Sequence, residues 1–498
     1  MTKYDIAIIG SGLGGLVSAL ILGKEGKKVC VLEQHSIAGG NLQSFTRDGC
    51  VFDTGMHYIG SMGEGQYLRK YFDYLGISDR LNLIRLDDKG YDTLTFEGDN
   101  TEYPMSQGYE LFRAHMLEYF PKEKKAIDAY VDKIRHVTAE FPLYNISKAK
   151  TYKLRPEVLG ECATGFLHGI TDNERLKNVL AGGLSLYAGY PDRTPLYIHA
   201  CMRDSLVSSC WRPVDGSQQI AARLVEGIQA QGGEVLTSHK IAELQIENDQ
   251  VVAAEAENGN TVHADAFISN AHPATTLGMI GEGKIRKIYR KRIMSLENTW
   301  GVFTLYAVLK PESLPYLNKN YFHYNSRGIL HARHEEDHWP DNYYFYTPAS
   351  SHSETHAESI VVMADMRFDE VKKWQNTSLN RRGEEYKHFK HQKAEMIINA
   401  LERRLPGIRE KIVKYYTSTP LTFRDYTGTH EGSAYGIMKD CHDPVRSIIQ
   451  PRSKISNLYF TGQNLNLYGI LGVTAAAVIT CSEIVGMEYL SKKIADGR

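Results

Sequence analysis

Tyr4-Asp5-Ile6-Ala7-Ile8-Ile9-Gly10-Ser11-Gly12-Leu13-Gly14-Gly15 decides the fold. Residues 4–10 make an apolar run of strand length that stops at glycine. Apolar residues then recur at Leu13, Leu16, Val17, Leu20 and Ile21, the spacing of one buried helix face. Gly26 ends that helix, and residues 28–32 predict a second strand closing on Glu33. Strand, glycine turn, helix, strand and acid together predict a dinucleotide-binding unit. In such a unit Gly10 permits the tight turn, Gly12 lets the backbone approach a pyrophosphate, and Gly15 lets the helix close on the strand. Leu13 and Gly14 open the helix, whose free N–H groups favour phosphate. Glu33 accepts from ribose hydroxyls and repels a 2′-phosphate. A glycine-rich turn without a ligand lacks the reason for that full context.

Working outward, the 498 residues exceed one ordinary core, so two or three domains are expected. With 42% hydrophobic and 23% charged residues and a net charge of −1, the composition is that of a soluble globular protein. No basic run of five or more occurs, which argues against a nucleic-acid surface. The seven cysteines are scattered and make no CxxC pair, an argument against a disulfide framework or structural zinc and for a reducing compartment. The first strand begins almost at residue 1, leaving no room for a signal peptide. The apolar stretch 468–487 is broken by Thr474, Thr480, Ser482 and Glu483 and reads as a buried helix. A cytoplasmic setting is expected, with membrane association left open: the basic stretch 122–125 reads as a solvated helix face before it reads as a membrane contact.

Along the chain, residues 43–59 predict a hairpin leading to Phe52-Asp53-Thr54-Gly55-Met56-His57-Tyr58-Ile59-Gly60. Residues 108–190 are mostly helical in pattern. Residues 213–270 return to helix and strand, with separate strands at 242–247, 250–256, 261–264 and 266–269. Strands are expected at 300–310, 343–347 and 359–366 and a long helix at 384–405. Aromatics crowd Tyr321, Phe322, Tyr324 and Tyr343 to Tyr346. The C-terminal block is strand, Gly462-Gln463-Asn464 loop and helix again. The chain holds no Gly-x-Ser-x-Gly elbow, no Walker loop and no second dinucleotide fingerprint. His331, His334 and His338 with Glu335, Glu336 and Asp337 match no familiar ligand spacing, so no metal site is expected.

The opening unit, Gly39-Gly40, the 52–60 stretch and Tyr459-Phe460-Thr461-Gly462-Gln463 together resemble the FAD-dependent phytoene desaturase and carotenoid isomerase family. Phe-Asp-Thr-Gly-x-His-Tyr-Ile-Gly, Leu-Tyr-Phe-Thr-Gly-Gln-Asn and Gly432-Ser433-Ala434-Tyr435-Gly436 carry a narrower resemblance to its retinol saturase branch. The resemblance implies an α/β fold: a Rossmann-like FAD-binding domain built from separated segments (1–90, 205–275 and 450–498). An α+β substrate domain would come from 91–204 and 276–449. It implies FAD with its ADP half on Gly10, Gly12, Leu13, Gly14, Gly15, Glu33 and Gln34. The adenine would meet the Ile241 backbone, and the flavin end Gly40, Asn41, His57, Gly462, Gln463, Gly472 and Val473. A terminal helix starting near Gly472 would aim its dipole at the flavin. Asn41 stands where many relatives carry Arg, and Asp215-Gly216-Ser217 where Gly-Gly is common.

Such a family reduces, desaturates or isomerises polyenes. Reducing an isolated double bond requires hydride from the flavin, a proton placed opposite it and a dry apolar slot. His57, Tyr58 and Tyr435 are the candidate acids, each with a competing role as a hydrogen-bonding or packing residue. The electron partner, NAD(P)H or a quinone, is unspecified by any motif. The substrate class is an apolar polyene or isoprenoid such as retinol or a carotenoid. A redox-neutral isomerase and an amine oxidase-like flavoenzyme are the competing enzymes. Rab escort and GDP-dissociation proteins, which bind isoprenoid chains without redox chemistry, offer a non-catalytic reading.

Overall fold

The strand Lys3–Ile9 sits at the centre of a seven-stranded sheet, and the distant parts of the chain return to it. The computed structural model describes residues 3–141, 146, 156–325, 327–331 and 339–497. In that sheet Val29–Leu32 and then Glu234–Leu236 run parallel on one side of Lys3–Ile9, and Thr261–Ser269 runs parallel on the other. Leu458–Phe460 pairs with the far end of Thr261–Ser269, also in parallel. The antiparallel strands Gln250–Ala256 and Ile241–Glu247 complete it. Thr261–Ser269 is one continuous strand, where the sequence predicts two. Its first half pairs with the meander and its second half with the C-terminal strand, so the change of neighbour reads as a break in pattern.

Helix Leu13–Lys24 connects the first two strands and is buried on nearly every side, not along one face. The reason is its position: the sheet lies on one flank, and Gly469–Val485 and Gln218–Ala230 pack on the others. Small residues make this approach possible. A Cβ at Gly15 would stand 2.1 Å from the Gly10 carbonyl oxygen, and Gly10 itself has φ +92°.

A second seven-stranded sheet has the order Ile412–Ser418, Gly301–Leu309, Ser359–Met366, Asn342–Tyr346, Asn320–Tyr324, Asp92–Phe96, Tyr103–Met105. Its pairings are antiparallel except that of Asn320–Tyr324 with Asp92–Phe96. The crowded aromatics of the sequence are here a ladder. Tyr321 faces Phe345 and Phe322 faces Tyr344 in register, with ring centroids 5.0 and 5.1 Å apart. Helices Tyr109–Tyr119, Lys124–Glu140, Ala163–Ile170, Glu174–Ala181 and Leu196–Ser208 lie between residues 109 and 208.

Two expectations change. Cys162 and Cys441 are joined by a disulfide with their Cα atoms 5.4 Å apart, whereas the scattered cysteines predict none. The partners lie 279 residues apart, and only folding brings them together. The other five cysteines are buried and outside that disulfide. Of the histidine-rich stretch, His331 is exposed with Nε2 3.8 Å from Glu174, and residues 332–338 lie outside the described residues. Among the described residues no helix is long and apolar enough to cross a membrane.

Candidate functional site

A cavity of about 540 Å³ runs from the first glycine turn to the underside of the second sheet. The sequence candidates converge on it. Gly10, Gly12, Leu13, Gly14, Glu33, Gln34, Gly40, Asn41, Ile241, Gln463, Gly472 and Val473 all line it, as do His57, Tyr58 and Tyr435. Gly15 and Gly462 are not part of its wall. Gly15 acts behind it, in the close contact with the Gly10 carbonyl.

At the glycine end the walls are backbone. Cβ atoms at Gly12 and Gly14 would stand 2.7 and 2.6 Å from the Asn270 side chain. Gly14 would also meet Gly462 Cα at 2.8 Å, so the two distant loops touch through glycines. Asn270, which follows the strand Thr261–Ser269, is therefore a clamp that the sequence reading missed. Gly40, at φ +56°, brings its own backbone against Gly12. Glu33 is buried and bonded by the turn itself: Ser11 N and Oγ donate to one oxygen at 2.8 and 2.5 Å, and His35 N donates to the other at 2.8 Å. Oε1, with one donor, keeps a lone pair for a further one, while Oε2 already accepts two. Ser11 Oγ also takes the Gly39 N–H at 3.1 Å, tying the turn to the Gly39-Gly40 loop.

Two helices start at the cavity wall. Leu13–Lys24 begins after Gly12 and Gly469–Val485 after Tyr468, and neither has a side-chain cap. Their first N–H groups are the unsatisfied donors of a helix start. The second helix begins at Gly469, three residues before the start near Gly472 that the resemblance implies. Its free donors therefore belong to the turn from Gly469 to Leu471, while Gly472 serves packing, since a Cβ there would lie 2.6 Å from Leu467 Cβ. Lys439 steadies the approach to this helix. Its buried ammonium donates to the Ser447, Asn464 and Leu465 carbonyls at 2.7–2.9 Å, and burial holds its pKa down at about 7.

The 52–60 stretch divides its labour. Asp53 accepts from Ser217 N, Ser217 Oγ and Ser44 Oγ at 2.6–2.8 Å, which locks the turn before helix Gln218–Ala230. His57 is buried, with Nδ1 2.6 Å from the Tyr346 hydroxyl. Burial, with the nearby Arg212 guanidinium, drives the imidazole pKa down to about 3. At neutral pH His57 is uncharged, so it does not offer an imidazolium proton. Tyr58 donates its hydroxyl to Asp92 at 3.0 Å inside a buried network with Asn320 and Arg212. Tyr435 donates to the Leu186 carbonyl. Burial raises both phenols above their ordinary pKa. Tyr58 and Tyr435 thus reach the cavity wall with their hydroxyls already engaged, and His57 with its Nδ1 engaged.

The other end is apolar: Leu186, Met202, Leu206, Val302, Tyr344 and Met363 line it. Two rows of one sheet face roof this chamber: Val302 opposite Asp365, and Met363 opposite Tyr344. Asp365 stands out there, a carboxyl on an otherwise apolar and aromatic roof. The sequence reading missed it. Its signal is an acid interrupting the apolar strand Ser359–Met366.

A family model described as flavin containing amine oxidoreductase matches residues 13–482. All-trans-retinol 13,14-reductase of Rattus norvegicus is 26% identical, over 97% of this chain and 86% of its own. Prolycopene isomerase 1, chloroplastic, of an Oncidium hybrid cultivar is 26% identical over 99% and 85%. Among solved structures, an oxidoreductase from Methanosarcina mazei superposes with TM-score 0.66 at 17% identity, covering 95% of this chain and 98% of that one.

The cavity fits FAD. The glycine walls leave space that side chains would fill. Two uncapped helix starts supply N–H groups, one beside Glu33 for phosphate and one for an electron-rich ring edge. Asn41 Oδ1 is buried on this wall with no hydrogen-bond partner among the described residues, an acceptor awaiting a donor.

Proposed function

The chain belongs to the flavin containing amine oxidoreductase family and is an FAD-dependent oxidoreductase, and from that premise we propose that it saturates, or in reverse desaturates, a carbon–carbon double bond of a polyene or isoprenoid such as retinol or a carotenoid. One observation carries the reading: the dinucleotide cradle opens directly into an apolar, aromatic-roofed chamber within a single cavity. When bound, the flavin supplies the two-electron, hydride-transferring chemistry.

The chain's own residues supply the rest. In this proposal Gly10, Gly12, Gly14, Glu33 and Gln34 hold the ADP half. The backbone of Ile241 meets the adenine. Gly40, Asn41 and the helix start at Gly469 hold the ring end. Neutral His57, fixed by Tyr346, orients the ring end without adding charge. Leu186, Met202, Leu206 and Met363 displace water from an extended hydrocarbon and align its double bond. Among the described residues no buried Lys or Arg lines that end. The lining thus favours a long apolar chain.

The isomerase reading has the Oncidium relative in its favour and uses the same chamber without net electron transfer. NAD(P)H or a quinone remains the proposed electron partner. For the route of an apolar substrate we propose peripheral contact with an anionic membrane. Helix Lys287–Met294 supports it: Ile288 is 79% and Met294 53% exposed, Val445 nearby is 73% exposed, and Lys284, Arg286, Lys287 and Lys291 are exposed beside them. The stretch 122–125 is less suited, since Lys124 is paired with Asp128.

Anaerobic mixing of the reduced enzyme with retinol, a carotenoid and a quinone tests the function. Reoxidation of the flavin by a polyene supports a saturase. Reoxidation by the quinone alone, with the polyene isomerised, favours the isomerase. Protein that purifies without flavin absorbance contradicts both.

A further inference from the structure

We propose that Asp365 is the catalytic acid of this site, delivering a proton from the sheet roof to the substrate carbon that does not receive hydride. The inference rests on the double-bond reading above and names the residue that reading lacks.

Geometry comes first. Asp365 lies on strand Ser359–Met366, directly opposite Val302 and two residues from Met363, and all three line the apolar chamber. The strand is held rigidly there. It pairs on both sides, and the Trp339 indole donates to the Asp365 carbonyl at 2.7 Å. A group on paired sheet strands keeps its aim better than one on a loop. Asp365 is half-buried and lines the cavity wall.

Chemistry comes second. The tyrosines whose ionisation its charge opposes include Tyr190, Tyr324, Tyr344 and Tyr435. Burial pushes the Asp365 pKa up to about 7, against the smaller opposing effect of the Trp300 indole N–H. The carboxyl is therefore half protonated near neutral pH, the condition that suits a general acid. His57 is neutral, and the Tyr58 and Tyr435 hydroxyls already donate to Asp92 and Leu186.

The step balances. The double bond's electron pair takes the Asp365 proton at one carbon, and hydride from the reduced flavin closes the other. The products are the saturated bond, oxidised flavin and an Asp365 carboxylate, which regains its proton from water. In the desaturating direction the carboxylate takes that proton back.

The acid form exists below about pH 7, so single-turnover reduction of a polyene by the wild-type protein should fall about tenfold per pH unit above it. Asp365→Asn should lower that rate by about 10²–10⁴-fold and flatten the limb, while leaving FAD content unchanged. Asp365→Glu should recover part of the rate. In D2O the wild-type product should carry solvent deuterium at the carbon that Asp365 protonates, beside any that the exchangeable hydrogen of the reduced flavin brings to the other carbon. An infrared difference spectrum between pH 6 and pH 8 should show a protonated-carboxyl carbonyl band that Asp365→Asn lacks. Unchanged rate and pH profile in Asp365→Asn overturn the proposal, as does a carboxylate already ionised at pH 6. If the wild type reduces no polyene, the double-bond reading fails, and with it the donor role, whereas the infrared arm still reports the protonation state separately.

Discussion

Replacing Glu33 by Ala removes the acceptor for three donors at the heart of the nucleotide cradle. Ser11 N and Oγ bond to one carboxylate oxygen at 2.8 and 2.5 Å and His35 N to the other at 2.8 Å. A hydrogen bond to a charged group contributes about 1.5–3 kcal/mol, and orphaned buried N–H groups add a desolvation cost. Allowing for water entering the vacated space, a loss of about 3–5 kcal/mol is expected even without cofactor. At about 2–4 °C per kcal/mol for a large domain, the apoprotein Tm should drop by at least about 6 °C. Loss of a ribose acceptor should weaken FAD binding by a further factor of about 10–100. Calorimetry of the flavin-free protein and flavin stoichiometry after gel filtration separate the two effects. An apoprotein Tm within a degree of wild type would refute the structural part. Full flavin retention would refute the ribose assignment.

Gly12→Val should give a protein that purifies without flavin, because the Cβ alone would lie 2.7 Å from Asn270 Nδ2; a fully yellow variant contradicts the cradle. His57→Ala should keep its flavin and slow turnover, and Tyr346→Phe should reproduce a smaller version of that effect; equal rates would reduce the pair to scaffolding. Ile288→Asp with Met294→Asp should lower co-sedimentation with anionic phosphatidylserine vesicles several-fold and leave zwitterionic vesicles unbound; unaltered binding would refute that contact surface.

How much of this was legible depended on distance along the chain. Gly10 to Gly15 and Glu33 could be read because their constraints act within thirty residues and repeat a known local geometry. Asn270 could not, since it is an asparagine after a strand whose importance comes from touching Gly12, Gly14 and the space beside Gly462. His57 was visible as a motif residue, but its neutral state follows from burial, with Arg212 nearby, in a site assembled from strands far away in the chain. Tyr58 and Tyr435 stand in motif stretches that line the cavity, while their hydroxyl partners Asp92 and Leu186 are set by tertiary packing. Asp365 left a usable trace, one acid in an otherwise apolar strand. Reading it required knowing which sheet face the strand turns to the cavity. The disulfide between Cys162 and Cys441 left none.

The central claim is that the glycine cradle and the apolar chamber form one site for hydrogen transfer to a polyene double bond. The direct measurement is the mass of the polyene recovered after one anaerobic turnover with stoichiometric reduced enzyme. The account predicts a product heavier by two hydrogens, formed in step with flavin reoxidation and absent from Gly12→Val. Polyene recovered with its mass and geometry unchanged, while the flavin stays reduced, would contradict it.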